Sequence, residues 1–162
     1  MAVNAQQPQS PASTDRIEKL IVLRAPRARV WRALTIAEQF GAWFGLKLDG
    51  EFTAGETIRG RPTIPRYEHL TLELLVERIE PEHYFSYRWH PYAVDPKVDY
   101  SAEPTTLVEF RLEEQAGGST ALTIIESGFD RIPLGRRAEA FRMNDQGWAS
   151  QSQKLARYVE AQ

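Results

Sequence analysis

The chain has 162 residues, of which 42% are hydrophobic, so its length and composition suit one domain with a single core. Twenty basic and twenty-two acidic residues leave a formal net charge of −2, which argues against a field that attracts nucleic acid or an anionic membrane. The sequence contains no cysteine, and this excludes disulfides, zinc–thiolate sites, iron–sulfur clusters and cysteine nucleophiles.

The first fourteen residues carry no charged side chain and no long apolar run. A signal peptide needs a basic start and a hydrophobic stretch, and a membrane-spanning helix needs about 20 apolar residues. We therefore expect residues 1–14 to form a disordered tail and residues 15–162 to form the domain. We also expect a cytoplasmic protein that does not insert into a membrane.

One strand and two short helices are predicted at the start of the domain. The strand spans Arg16–Arg24, and Pro26 opens the first helix. The second helix begins at Thr35, because Thr35 and Glu38 have the spacing of a capping box, and Gly45 suits its left-handed end. Two amphipathic helices in series cannot bury their own apolar faces, so we expect them to pack on a sheet.

The middle of the chain is predicted to consist of strands, because short alternating segments are separated by turn residues. These strands span Phe52–Gly60, His69–Ile79, Tyr84–His90, Thr105–Glu114 and Thr120–Ser127. The intervening segment Pro91–Pro104 has three prolines and no periodicity. Irregular loops of that length are often binding loops, so we expect this one near a site.

The last thirty residues, Pro133–Gln162, are predicted to form one long helix. Residues at alternating spacings of three and four mark its inner stripe: Leu134, Ala138, Phe141, Asp145, Trp148, Ser152, Leu155 and Val159. Asp145 and Ser152 interrupt the apolar stripe, and Gly147 would allow the backbone to approach another surface closely. Two interpretations stay open: a packing helix with two polar defects, or a helix that leaves a partly polar cavity beneath it.

The order of these elements predicts an α+β fold. Strands that are followed by a helix, rather than alternating with helices, place the helices on one face of an antiparallel sheet. A curved sheet of about six or seven strands wrapped round the long C-terminal helix, with two short helices after the first strand, buries all the apolar faces together.

Three stretches also resemble a known family. They are APRARVWRALTIAEQFGAWFG at Ala25–Gly45, GGSTALTIIESGF at Gly117–Phe129 and GWASQSQKLARYVE at Gly147–Glu160. They are similar to the domains related to the C-terminal domain of the activator of the heat-shock-protein-90 ATPase. Those domains belong to the START-like superfamily (SRPBCC), together with birch-pollen-allergen-like proteins and polyketide cyclases, so the resemblance implies the helix-grip fold.

The resemblance implies a deep cavity between sheet and terminal helix, which many relatives use for lipids, hormones or polyketide-like molecules. One position departs from the family pattern. Where the family hairpin often reads L-T-x-x-H-x-G-F, this chain has Glu126. A role that rests on that histidine therefore does not transfer to this chain.

Glu126 is the most informative polar candidate, because it shares a strand face with Leu122 and Ile124 and should point inward. A buried carboxylate needs a partner or takes up a proton. It either pairs with Arg88, Arg59 or a hydroxyl as a structural group, or it acts as a ligand anchor or general base. Asp145, on the helix stripe, could face it and complete a carboxylate pair.

The predicted ligand-binding residues combine these two carboxylates with aromatic side chains, which hold flat apolar molecules well. The full set is Trp43, Phe44, Tyr87, Trp89, Phe110, Glu126, Phe141, Asp145 and Trp148. Each aromatic residue serves equally well as core packing. The histidines at 69, 83 and 90 lack metal-site spacing, so we expect no metal and no cofactor.

Three functions stay open at this point. The preferred one is binding of a hydrophobic or amphipathic small molecule, by a monomer or homodimer. We expect a flat apolar ligand with one hydrogen-bond donor and expect fatty acids to be rejected, since their carboxylate would meet Glu126. The alternatives are a cavity enzyme of polyketide cyclase, hydratase or isomerase type, and a co-chaperone-like interaction protein.

Overall fold

The computed structural model describes residues 13–161 and has the α+β helix-grip architecture that the sequence predicts. Seven strands form one antiparallel sheet in the order β1-β7-β6-β5-β4-β3-β2. The strands are β1 (Arg16–Leu23), β2 (Leu46–Asp49), β3 (Thr57–Pro62), β4 (Leu72–Glu80), β5 (Tyr84–Trp89), β6 (Thr106–Gln115) and β7 (Ser119–Ser127). The helices are α1 (Arg27–Thr35), α2 (Ala37–Phe44) and α3 (Leu134–Glu160), with a 3-10 turn at Phe129–Arg131.

The core lies between the inner face of the sheet and the helices. Alternate residues of β5, β6 and β7 point inward, as period-two alternation predicts. The fully buried members include Phe85, Tyr87, Val108, Phe110, Leu122 and Ile124. On the helix side, Trp148 is 2% exposed, and its ring lies 5.9 Å from that of Phe110. The central packing of α3 against the sheet is therefore as expected.

The buried stripe of α3 differs from the predicted one at its start. Leu134 is 79% exposed, and the buried positions are Ala140, Trp148, Ser152, Leu155 and Val159. Ala138, one turn later, is exposed as well, so the buried stripe begins only at Ala140. Neither α3 nor any other helix within residues 13–161 is long and apolar enough to cross a membrane.

The junction between α1 and α2 corrects one local expectation. The predicted capping box is not formed: Ile36 precedes α2, and the Thr35 hydroxyl donates to the carbonyl oxygen of Trp31 at 2.8 Å. Thr35 is still the last residue of α1, so its side chain bonds back into that helix. Gly45 does end α2 in the left-handed conformation, with φ of 90°.

Two long loops leave the same end of the sheet. Because the strands are antiparallel, the loop 63–71 between β3 and β4 and the loop 90–105 between β5 and β6 emerge side by side. The sequence missed β2, which has only four residues, and placed the starts of the strands that became β3 and β4 too early. The end of α2 also reaches this end of the sheet, so it lies beside the two loops.

The predicted N-terminal tail falls largely outside the described residues. Residues 1–12 lie outside them, whereas Ser13 and Thr14 are described. The Thr14 hydroxyl donates to Asp130 Oδ1 at 2.8 Å, and the Asp15 backbone N–H donates to Ser13 Oγ at 3.1 Å.

Candidate ligand-binding site

The carboxylate of Glu126 lies fully buried beneath α3 and accepts hydrogen bonds from four side chains. Its Oε1 accepts from Trp148 Nε1 at 2.8 Å. Its Oε2 accepts from Trp89 Nε1 at 2.8 Å and from Thr106 Oγ1 at 2.6 Å. Asn144 Nδ2 donates to both oxygens, at 3.0 and 3.1 Å. Strands β5, β6 and β7 and helix α3 thus meet at one side chain.

No cation neutralises this carboxylate: within residues 13–161, Glu126 has no ion pair with Lys, Arg or His. The arginines proposed as partners lie elsewhere, because Arg88 pairs with Glu77 and Arg59 pairs with Glu73. The other proposed partner, a hydroxyl, is present as Thr106. Desolvation raises the pKa of Glu126, while the hydrogen bonds from its donors oppose that rise.

The donors around Glu126 occupy all of its acceptor sites, since a carboxylate has about four lone-pair sites. A ligand that bonded to this carboxylate would have to displace a protein donor. What the observed geometry provides is orientation: Glu126 holds the indoles of Trp89 and Trp148 and the amide of Asn144 in fixed positions.

Asp145 lies outside this buried cluster, which corrects the expected carboxylate pair. Its Oδ1 lies 2.8 Å from Lys19 Nζ on β1, and the side chain is 45% exposed. The reason is helix geometry. At 100° per residue, Asn144 is 40° from Trp148 around the helix and Asp145 is 60° away on the other side, so the amide faces the sheet.

The open space of the molecule lies at the end of the sheet, where the two long loops emerge. A cavity of about 680 Å³ is bounded there by Phe44 at the end of α2, Trp89 at the end of β5 and one side of α3. The loop contributions include Ile64, Tyr67, His69, Leu70, Tyr92, Val94, Val98 and Tyr100. A recess of about 110 Å³ lies between Phe44, Trp89, Asn144, Gly147, Trp148 and Gln151. Three of those residues also bind Glu126, so the cavity borders the buried cluster.

Gly147 opens the helix wall of the cavity. A Cβ atom at this position would meet nothing within 4 Å, so the expectation that Gly147 allows a close backbone contact is wrong. One turn further on, Gln151 Nε2 donates to the carbonyl oxygen of Phe44 at 2.9 Å. This bond ties α2 to α3 at the cavity. The Oε1 atom of Gln151 is buried and has no hydrogen-bond partner within residues 13–161.

Arg136, in the first turn of α3, holds the loop 90–105 in place. Its Nε and Nη2 lie 2.9 and 2.8 Å from Glu103 Oε1, and its Nη1 donates to the carbonyl oxygens of Pro91 and Tyr92 at 2.8 and 3.3 Å. The guanidinium carbon also lies 4.7 Å from the centre of the Tyr100 ring. The cavity wall is therefore anchored to the helix.

The aromatic residues proposed for ligand binding fall into three groups. Phe44 and Trp89 line the cavity, and Trp148 lines the recess. Tyr87 and Phe110 are fully buried behind them, and burial raises the pKa of the Tyr87 hydroxyl well above its usual value.

The remaining two aromatic residues of the proposed set pack away from the cavity. Trp43 is 4% exposed and donates its Nε1 hydrogen to the carbonyl oxygen of Ala33 at 2.8 Å. The ring of Phe141 lies 5.1 Å from that of Phe129.

Several lining residues were not anticipated from the sequence. Asn144 and Gln151 are on α3, and Tyr92 and Tyr100 are on the loop that was expected near a site. The signal for the two tyrosines was the aperiodic segment itself. Within residues 13–161, no group of three or more His, Asp or Glu side chains could hold a metal ion.

Solved structures with the same fold include proteins of moderate sequence similarity. DynU16, a protein of the dynemicin biosynthetic locus, is 25% identical with a TM-score of 0.68 over 90% of this chain and 47% of its own. This chain thus spans about half the length of DynU16. A protein of Mesorhizobium loti is 25% identical with a TM-score of 0.67, over 89% of this chain and 97% of its own. An Aha1 dimer from Colwellia psychrerythraea is 17% identical with a TM-score of 0.67, over 90% and 96%.

The sequence matches a described family over most of its length. No curated protein matches the chain. The family described as activator of Hsp90 ATPase homolog 1-like protein matches residues 24–160, which include α1, α2, α3 and six of the seven strands in full. The chain therefore belongs to the activator of Hsp90 ATPase homolog 1-like family.

Proposed function

We propose that this protein binds a hydrophobic or amphipathic small molecule in the cavity at the end of the sheet. The observation that carries the proposal is the cavity itself, about 680 Å³ in volume and walled by aromatic and aliphatic side chains. Cavities of about 300–1,000 Å³ with mainly apolar walls and a few polar groups are typical of small-molecule sites. Asn144, Gln151 and His90 supply such polar groups here.

We infer that the ligand lies beside α3, whereas the resemblance implied a cavity between the sheet and this helix. Trp148, Phe110 and Tyr87 fill the space between α3 and the centre of the sheet, and Glu126 is enclosed by its donors. The similarity to a protein of a biosynthetic locus, DynU16, is in keeping with a small-molecule ligand. The cyclase or isomerase alternative relied on a carboxylate pair of Glu126 and Asp145. Because this pair is not formed, binding is favoured over catalysis.

The proposal is tested by filling the cavity from the helix wall. Gly147→Leu places a side chain in the open space beside Gly147, and it should abolish saturable binding of an apolar fluorescent dye. Gly135→Leu is a matched control, because a Cβ atom there also meets nothing within 4 Å but Gly135 does not line the cavity. Dye binding that survives Gly147→Leu unchanged would overturn the site.

A co-purifying molecule would give the ligand directly. Native mass spectrometry of the freshly purified protein should show an added mass that is reduced or lost in Gly147→Leu and kept in Gly135→Leu. An added mass retained in both variants would place the molecule somewhere other than this cavity.

A further inference from the structure

We propose that the cavity selects an amphipathic organic cation, an amine or ammonium group on a flat apolar body, over neutral and anionic molecules of the same shape. This inference rests on the proposed function and specifies its ligand class. It follows from three features of the cavity: its aromatic walls, the sign of its charges and the buried anion behind it.

The walls of the cavity present several aromatic rings to one space. They belong to Phe44, Tyr67, Trp89 and Tyr92, and to Tyr100, whose ring already holds the Arg136 guanidinium at 4.7 Å. The face of an aromatic ring carries negative potential and attracts a cation within about 6 Å of its centre, most strongly when the ring is an indole. Aromatic walls therefore stabilise an apolar body by packing and a cationic group by cation–π attraction, but they do not attract an anion.

The Asp, Glu, Lys and Arg side chains that line the cavity have one sign of charge. Among the described residues of the lining, none is Lys or Arg, whereas Glu73, Asp95 and Asp99 are acidic. Glu73 is paired with Arg59 at 2.8 Å, so the unpaired negative charges belong to Asp95 and Asp99. Hydrogen bonds from Ser101 lower the pKa of Asp99, which keeps that side chain ionised.

The Lys and Arg residues of the two loops lie outside the lining of the cavity. The loops carry Arg66 and Lys97, but neither lines the cavity. Arg136, which anchors the loop, is paired with Glu103. A ligand carboxylate would therefore find no Lys or Arg in the lining, where the basic side chains are His69 and His90.

Glu126 adds negative potential from behind the wall. It has no counter-cation within residues 13–161, and both indoles that separate it from the cavity donate to it. The rings of Trp89 and Trp148 are stacked, with centroids 6.0 Å apart and an interplanar angle of 30°. A hydrogen bond to an anion polarises its donor, so the Trp89 indole, which lines the cavity, presents a more electron-rich face to a bound cation.

A matched series of probes tests the preference. Naphthylmethylamine, naphthylmethanol and naphthylacetate share a flat apolar ring system and carry a positive, a neutral and a negative group. Isothermal titration calorimetry at neutral pH should show the amine binding about tenfold more tightly than the alcohol, with the acetate weakest. High ionic strength should reduce the preference for the amine, because Asp95 and Asp99 (the rim charges) are exposed.

Asp95→Asn together with Asp99→Asn removes the unpaired rim charges conservatively. Asp95 Oδ1 accepts from the Lys97 backbone and Asp99 Oδ1 from the Ser101 backbone, and an asparagine oxygen can keep both bonds. The double variant should lower the amine-to-alcohol ratio at least threefold, mainly by weakening binding of the amine. Asp49→Asn is the control, because exposed Asp49 lies outside the lining.

The outcomes separate the two proposals. An alcohol or acetate that binds as tightly as the amine would overturn cation selection while leaving small-molecule binding intact. A preference for the amine that the double variant retains in full would show that the rim charges do not select the ligand. Failure of all three probes, together with an unchanged dye titration in Gly147→Leu, would overturn both proposals.

Discussion

The two polar regions of this molecule lie side by side yet differ in how their polar groups are satisfied. Around Glu126, protein side chains supply every hydrogen bond that the buried carboxylate accepts. In the adjacent cavity, Gln151 Oε1 has no partner within residues 13–161, and the walls enclose about 680 Å³ of open space. Trp89, Asn144 and Trp148 belong to both regions.

This contrast shows that burial of a charged group is not in itself a sign of a binding site. A carboxylate enclosed by its own donors stabilises one arrangement of the elements around it, and a ligand requires space as well as polarity. The regions are nevertheless linked, because the side chains that satisfy Glu126 form part of the cavity wall. Changes in the cluster should therefore reach the ligand.

The largest effect is expected where the cluster and the core coincide. Trp148→Ala should lower the free energy of unfolding by about 3–5 kcal/mol, because it leaves a cavity in the core. It also removes one donor from Glu126. Chemical denaturation measures the loss, and Trp148→Phe, which keeps a ring but not the N–H, should lose less. A loss below about 1 kcal/mol in Trp148→Ala would contradict the packing described here.

Glu126→Gln should cost about 1–3 kcal/mol of unfolding free energy. A glutamine offers one acceptor oxygen where the carboxylate offered two, so its NH₂ group would face an indole N–H, donor against donor. Glu113→Gln, at an exposed position, is the matched control and should change stability by less than about 0.5 kcal/mol. Equal stability of both variants would contradict a stabilising role for the hydrogen bonds of Glu126.

The pH dependence of stability should carry the signature of Glu126. Desolvation raises the pKa of the folded carboxyl above the ordinary value of 4.5, so the folded protein holds this proton more tightly than the unfolded chain. The contribution of Glu126 to stability is therefore greatest at pH values below 4.5 and declines as the pH rises through the raised pKa. Denaturation at a series of pH values should show the native protein losing unfolding free energy relative to Glu126→Gln as the pH rises, since glutamine does not titrate. A gain relative to Glu126→Gln would indicate a lowered pKa.

The smallest effect is expected at the cavity loop. Arg136→Lys keeps the charge but loses the forked geometry that contacts Glu103 and two loop carbonyls, and it should cost about 1 kcal/mol or less. Hydrogen exchange in residues 92–103 should nevertheless become faster. Arg137→Lys is the control, since Arg137 donates to the Ile132 carbonyl and not to the loop. Unchanged exchange in Arg136→Lys would show that the loop is held by its other contacts.

Local patterns in the sequence were sufficient to place the inner faces of the central strands. Alternation along β5, β6 and β7 predicts that Tyr87, Phe110 and Glu126 point inward, and all three are fully buried. The long helix and its packing through Trp148 follow from helical spacing. These features depend on periods of two and 3.6 residues, which neighbouring residues along the chain determine.

Tertiary structure decided which polar groups meet and where the molecule is open. Sequence spacing favoured Asp145 over Asn144, but in the packed structure the amide of Asn144 bonds to Glu126 and the carboxylate of Asp145 pairs with Lys19. The cavity depends on two loops that are far apart in the chain and on the anchoring of one of them by Arg136. Such contacts form between residues distant in sequence, so periodicity holds no information about them, and only the packed chain brings them together.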